Sequence, residues 1–255
     1  MDKSLIRVKE AEAMLLNVGT LLMSSGASTG RVRTTVNRIA DALGYNIELM
    51  ITNRSLMLKV IDEETDHFIA SLKRTSPHGV NFRMVSGISK MSWKVVEDHW
   101  DIPEINTEIA RLVALPHYPR LVTLSSVALA GTSFCALFGG KSYELLVAFI
   151  ATFVGLFVRQ EAIKKRFNPY VSIIFASFTA SILSGLSVKM GIGSSPEVAF
   201  ATSVLFLVPG VPLINSFTDM IDGNILNGIV RGIHGLIIAL AIALGLLCAK
   251  YLLNI

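Results

Sequence analysis

Four residues in a largely apolar stretch have types and spacing that could do chemistry: Asn215, Asp219, Asp222 and Arg231. Asn215 and Asp219 are four apart and Asp222 is three further on, so on a helix they share one face. They follow Pro209-Gly210-Val211-Pro212, about 11 residues or roughly 17 Å of helix beyond Val198, near the middle of a bilayer. Proline removes a backbone donor and glycine admits unusual dihedrals. A break there leaves carbonyls that only surrounding protein or a water-filled cavity can satisfy. Two readings follow. Asp219 and Asp222 could cap a loop at the cytoplasmic interface. Alternatively, a broken or re-entrant helix brings them to a cavity, where they bind a substrate amine or carry protons, with Arg231 as ion-pair partner. On the second reading Pro209, Gly210, Pro212, Asn215, Asp219, Asp222 and Arg231 form a substrate or proton pathway. Asp219→Asn and Asn215→Ala are then expected to stop transport without unfolding the protein.

A second segment, Ser24–Arg31, is a Ser/Gly-rich turn feeding a helix N-terminus. Ser25, Gly26, Thr29 and Arg31 could hold an anion there, because a helix start presents free N–H groups and positive potential. The alternative is a capped turn between two helices. Neither the P-loop nor the dinucleotide fingerprint is present. The five histidines (67, 78, 99, 117, 234) lack metal-ligand spacing, and Cys135 and Cys248 form no C-x-x-C pair. No catalytic residue, metal or cofactor is expected.

The elements that must position these groups belong to a membrane protein. The chain has 255 residues, of which 52% are hydrophobic and only 16% charged, against about 25% charged in a typical soluble domain. Residues 1–120 hold 15 of the 23 Lys+Arg and 14 of the 19 Asp+Glu. The first part, 1–119, therefore reads as an ordinary globular domain, and 120–255 as a nearly charge-free transmembrane helical domain. The near balance of charge in the first part argues against a nucleic-acid partner, despite a net charge of +4. About five spans of sufficient length are expected, at 121–139, 142–158, 170–188, 198–217 and 232–253. Arg159, Lys164, Lys165 and Arg166 are read as one basic loop after the second span. This marks the cytoplasmic side and places the N-terminal domain inside. The expected location is the inner (plasma) membrane, multi-pass. Ser172, Ala176, Ala180 and Ser184 form a small-residue stripe, and Gly228 and Gly232 repeat the spacing. Such spacing serves close helix packing or a sliding, pathway-lining helix.

Within 1–119, helical periodicity covers 9–24 and 29–43, with Gly44 as a stop. Three β-like runs follow, Tyr45–Ile51, Ser55–Ile61 and Val80–Val85, with a fourth around His67–Leu72. Turns are read at Asn53-Arg54 and Asp62-Glu63-Glu64, and further helices at 88–100 and 103–114. The domain is therefore expected to be α+β with an antiparallel sheet.

Two long patterns resemble the signature of the threonine/serine exporter family. One is Leu22-Met-Ser-Ser25-Gly26-Ala27-Ser-Thr29-x-Arg31-Val32; the other is Pro209-Gly210-x4-Asn215-x3-Asp219-x3-Gly223-x4-Gly228-x2-Arg231. The resemblance covers nearly the whole chain. It implies a cytoplasmic N-terminal domain followed by about five spans. It also implies a secondary transporter, not an enzyme, exporting a small polar metabolite such as threonine, serine or the dicarboxylate succinate. Some members of the family carry a second block of spans in the same chain, and others take it from a separate small membrane protein. This chain resembles the larger subunit of the split form, with that small subunit, or further copies of itself, as partner in the lipid bilayer. The competing classes are a membrane-anchored cytoplasmic hydrolase, which lacks a nucleophile–base pair, and a membrane scaffold or sensor, which has no need of a broken span.

Overall fold

The computed structural model describes residues 3–62, 67–75, 79–116 and 118–255. In chain order the elements are α1 (Lys3–Ser24), α2 (Thr29–Ala42), β1 (Asn46–Ile51), β2 (Ser55–Asp62), β3 (His67–Arg74), α3 (Phe82–Glu97), α4 (Ile102–Val113), α5 (Arg120–Leu137), α6 (Ser142–Lys164), α7 (Pro169–Met190), α8 (Pro196–Thr202), a 3-10 turn (Leu205–Leu207), α9 (Gly210–Ile221) and α10 (Ile225–Leu253). They form two compact units. The first comprises residues 1–116 with 211–232, and the second 117–210 with 233–255. The first crossing lies close to the sequence boundary at 119. The second excursion, which carries 211–232 into the first unit, has no counterpart in the sequence pattern.

The first unit joins helices to a three-stranded antiparallel sheet of order β1-β2-β3. Strand β2 alternates Leu56, Leu58 and Val60, all fully buried, with outward residues such as Met57, as period-2 side chains require. Its partners are in register at Leu49↔Leu58↔Ser71. The bend at Asn53-Arg54 closes β1 onto β2, where Thr52 N–H donates to the Ser55 carbonyl at 2.9 Å. The run around His67–Leu72 is a strand, as its alternation predicts. Val80–Val85 is not. Asn81 caps a helix there, its Oδ1 accepting from Met84 N–H at 3.1 Å. The apolar residues that suggest a strand open the buried stripe Met84, Val85, Ile88, Met91 and Val95 of α3. The Asp62-Glu63-Glu64 turn lies largely outside the described residues. Helix α2 buries Val32, Val36, Ile39 and Ala40 and ends before Gly44, whose φ of +77° suits glycine.

The second unit is built of long apolar helices. Among the described residues four helices, α5, α6, α7 and α10, are long and apolar enough to cross a bilayer. The bent pair 196–207 and 210–221, which turns by 60° at the Val208-Pro209 break, brings the number to five if counted as one span. The helix break inferred from Pro209-Gly210-Val211-Pro212 is present as this bend. Helix α6 runs on past the expected second span to Lys164, so Arg159 is a helix residue and not part of a loop. The small stripe of α7 is buried at Ser172, Ala176, Ala180 and Ser184. It serves close packing. Ser177 Oγ donates to the Ile242 carbonyl at 2.7 Å, and a Cβ on Gly245 would fall 2.6 Å from the Ile174 carbonyl oxygen. The outward faces carry exposed Leu137, Leu146, Leu236 and Leu240. Such a surface is stable against hydrocarbon and unstable against water.

Candidate functional site

The two patterns singled out in the sequence, some 190 residues apart, meet inside the first unit. Helix α1 ends at Ser24, and the chain turns at Gly26, whose φ is +86°. A side chain there would be strained, and its Cβ would stand 3.0 Å from the Gly79 carbonyl oxygen. The turn is held from one side by the Gly79 and Asn81 N–H groups, which donate to the Ser24 and Ser25 carbonyls at 2.9 and 3.0 Å. Helix α2 then starts at Thr29, with Ser28 as its cap.

The first N–H groups of a helix have no partner within it. Here Asp219, fully buried on α9, supplies one. Its Oδ1 accepts from the Thr29 N–H at 2.8 Å, and its Oδ2 accepts from the Thr29 hydroxyl at 3.0 Å. Arg231 Nη1 lies 3.3 Å from the same Oδ2, with the arginine side chain only 11% exposed. Arg231 Nη2 donates to the Ala27 carbonyl at 3.0 Å. Asn215 Nδ2 donates to the Gly26 carbonyl at 2.8 Å. Asn227 Nδ2 donates to the Thr29 hydroxyl at 3.3 Å and to the Ile51 carbonyl at 3.0 Å, tying α10 to the end of β1. The carboxylate is therefore bound on both oxygens, by a helix start, a hydroxyl and a guanidinium.

The turn Ser25–Arg31 thus holds an anion, and the anion is the chain's own Asp219. The arginine that completes the pair is Arg231. Arg31 is exposed and offers its backbone N–H to Ser28 Oγ at 3.4 Å. Ser25 is buried in the turn. Asp222 stands beside the network without joining it: it is exposed, and a Cβ on Gly30 would fall 2.8 Å from its Oδ2. Pro209, Gly210 and Pro212 shape the break and the first turn of α9 and give no polar side chain to the network. Sequence reasoning misses Asn227 and Ser216. Asn227 lies four residues before Arg231, one helical turn away on the same face, which is a usable signal. Ser216 Oγ donates to the Gly228 carbonyl at 2.7 Å. Gly228 is required there, since a Cβ would stand 2.7 Å from the Ser216 carbonyl oxygen.

A set of long apolar helices with a broken segment, and a buried ion pair at the start of the last long helix, defines a multi-pass membrane protein of the transporter kind. A family model described as "Putative threonine/serine exporter" matches residues 13–253, and the chain belongs to that family. It is 28% identical over 230 residues to the "Probable succinate transporter subunit YjjP" of Klebsiella aerogenes, covering 89% of this chain and 88% of the relative. It is 26% identical over 238 residues to the protein of the same description in Escherichia coli, covering 92% of each. The "Threonine/serine exporter" of Corynebacterium glutamicum is 25% identical over 221 residues, 81% of this chain but 44% of that protein. No solved structure matches.

Proposed function

We propose that this chain is the larger subunit of a two-subunit exporter, which moves a small carboxylate-bearing metabolite, of the succinate or threonine/serine class, out of the cell. The succinate-named relatives are called subunits and align with this chain over almost their whole length, whereas the threonine/serine-named relative has more than half its length beyond the match. That favours a separate small membrane protein as the supplier of the second block of spans. The N-terminal unit faces the cytoplasm in this reading, because Lys164, Lys165 and Arg166 cluster at one end of α6.

The observation that carries the mechanism is the burial of Asp219 between Thr29 and Arg231. Protonating that carboxylate removes the ion pair and weakens both Thr29 contacts at once. Asp219 is thus the group through which a proton gradient acts on the segment 211–232. Asn215 and Asn227 keep the segment in register while the charge changes. Reconstitution of the chain with its co-purifying small membrane protein, followed by efflux of labelled succinate, threonine and serine with and without a pH gradient, tests this reading. Gradient-dependent efflux that Asp219→Asn abolishes, in a protein that still assembles, is the expected result. Efflux indifferent to the gradient and to Asp219 would overturn it. Cysteine labelling in intact cells tests the orientation: Ser194→Cys is expected to react with an impermeant thiol reagent, and Lys165→Cys to be shielded.

A further inference from the structure

In the second unit, Arg159 is a cation without an anion. It lies on α6 one turn after Gly155, and residues four apart on a helix share a face. Gly155 marks that face as inward: a Cβ there would stand 3.0 Å from Ala180 Cβ on α7, 3.0 Å from the Phe206 ring and 3.1 Å from the Ala176 carbonyl oxygen. Ala148, Ala151, Thr152 and Ala162 are buried along the same stripe, while Leu146, Ile150 and Phe157 face outward and are exposed. Arg159 is half-buried on that side of α6, one turn beyond the close approach of Gly155 to α7 and to the 3-10 turn. Its Nε is shut off from solvent and has no hydrogen-bond partner. Among the described residues Arg159 makes no ion pair.

The acids that could neutralise it are engaged elsewhere or exposed. Glu144 accepts from the N–H groups of Ser194, Ser195 and Lys141 at 2.6, 2.9 and 3.0 Å. Glu161 pairs with Arg120 at 2.6 Å. Glu197, the remaining acid of this unit, is exposed in the first turn of α8. A guanidinium on a membrane helix with its Nε shut off from solvent is expensive unless an anion meets it, and such residues mark substrate pathways. Its planar fork suits a carboxylate above other anions of similar size.

We propose that Arg159 binds the carboxylate of the exported solute, one helical turn beyond Gly155 toward the Lys164 end of α6. The inference rests on the exporter reading above. Succinate, threonine and serine differ in net charge and in their amine, and a carboxylate is the one charged group they share, so one arginine serves either substrate class. Arg231 is the less suitable seat, since Asp219 and the Ala27 carbonyl already occupy it.

The test uses the full chain with its co-purifying subunit in nanodiscs of neutral lipid and in liposomes, with [14C]succinate and [14C]threonine as probes. Arg159→Gln is expected to weaken binding of the transported probe about tenfold or more, the size of a lost charge-assisted hydrogen bond. Arg159→Lys should restore part of it. The melting temperature of Arg159→Gln should equal or exceed the wild-type value, because an unpaired cation is being removed; a merely structural arginine would lower it. Normal probe binding by Arg159→Gln, in a wild-type protein that transports, overturns the inference and leaves the exporter reading intact. Loss of the co-purifying subunit in Arg159→Gln assigns the guanidinium to a partner's acid and overturns it too. Wild-type binding that needs anionic lipid, with that need lost in Arg159→Gln, assigns Arg159 to a lipid phosphate and likewise overturns the inference. A wild-type complex that neither binds nor moves either probe defeats the exporter reading and this inference with it.

Discussion

Arg231 and Arg159 both stand in helices apolar enough to cross a bilayer, but their surroundings differ in every respect that matters to a charge. Arg231 shares an oxygen of Asp219 with the Thr29 hydroxyl and also donates to the Ala27 carbonyl. Arg159 has a buried Nε with no hydrogen-bond partner and, among the described residues, no ion pair. Burying an ion is expensive unless geometry and hydrogen bonds compensate it. The first arginine is compensated by the fold itself, so its removal harms the fold. The second is compensated by nothing in the described chain, so its persistence has to be explained by something the chain handles. Paired charges here hold segments together, and unpaired ones are the better guide to a solute.

The sharpest break in this comparison is Asp219→Asn. From the sequence, neutralising an acid at a helix break should cost little stability. The network reverses that expectation, because the substitution strands Arg231, whose side chain is 11% exposed. Removing one partner of a buried pair costs about 3–5 kcal/mol. Thermal melting in detergent is expected to show a large drop for Asp219→Asn and for Arg231→Gln. The double variant should lose clearly less than the sum of the two. Additive losses would mean that the pair is not coupled. Since the fold itself is at stake, transport by these variants has to be measured well below their melting temperatures.

Two smaller effects sharpen the same point. Gly228→Ala pushes a Cβ to within 2.5 Å of Met220 Cγ and 2.7 Å of the Ser216 carbonyl oxygen. The side chain can yield, but the backbone oxygen cannot do so without shifting α9, so a loss of about 1–3 kcal/mol is expected. Thr29→Val removes the hydroxyl that donates to Asp219 and accepts from Asn227 while leaving the Thr29 N–H in place. A loss of about 1–2 kcal/mol follows, and Thr29→Ser should recover most of it. If Thr29→Val melts like the wild type, the hydroxyl bridge is incidental and Asp219 is held by the N–H and Arg231 alone.

Much of this molecule is legible in the residues because much of it obeys local rules. The charge-poor second part, the long apolar runs and the proline break report directly on helices and their interruption. The Val80–Val85 run misleads because a short alternation of apolar residues fits the opening of an amphipathic helix as well as a strand. Asn81 is the signal that decides between them: a capping residue at that point starts a helix. The union of Thr29 with Asp219 is not legible. Each segment advertises a polar site, but only the tertiary fold brings groups 190 residues apart to within 2.8 Å. Arg159 is hidden by a boundary. Grouped with Lys164, Lys165 and Arg166 it reads as a loop charge that fixes orientation, and only the continuation of α6 to Lys164 makes it a helix residue.

The finest test separates the two acids of α9 and its end. Asp219 is buried and bonded; Asp222 is exposed and merely close to the start of α2. Gly30→Ala addresses Asp222 alone, because the new Cβ would stand 2.8 Å from its Oδ2. Two effects oppose each other. Alanine is favoured over glycine in a helix by up to about 1 kcal/mol, with less of that available in the first turn. Displacing a carboxylate from a helix N-terminus loses about 0.3–1 kcal/mol at an exposed site. The carboxylate is the far end of a flexible side chain in contact with water and can rotate away, so the net change should stay within about 0.5 kcal/mol of zero. Gly30→Ala and Asp222→Asn are both expected to melt close to the wild type and to transport normally. A large loss of stability in both would place Asp222 in the network beside Asp219. A loss of transport in both, without a loss of stability, would make Asp222 and not Asp219 the acid that responds to the gradient.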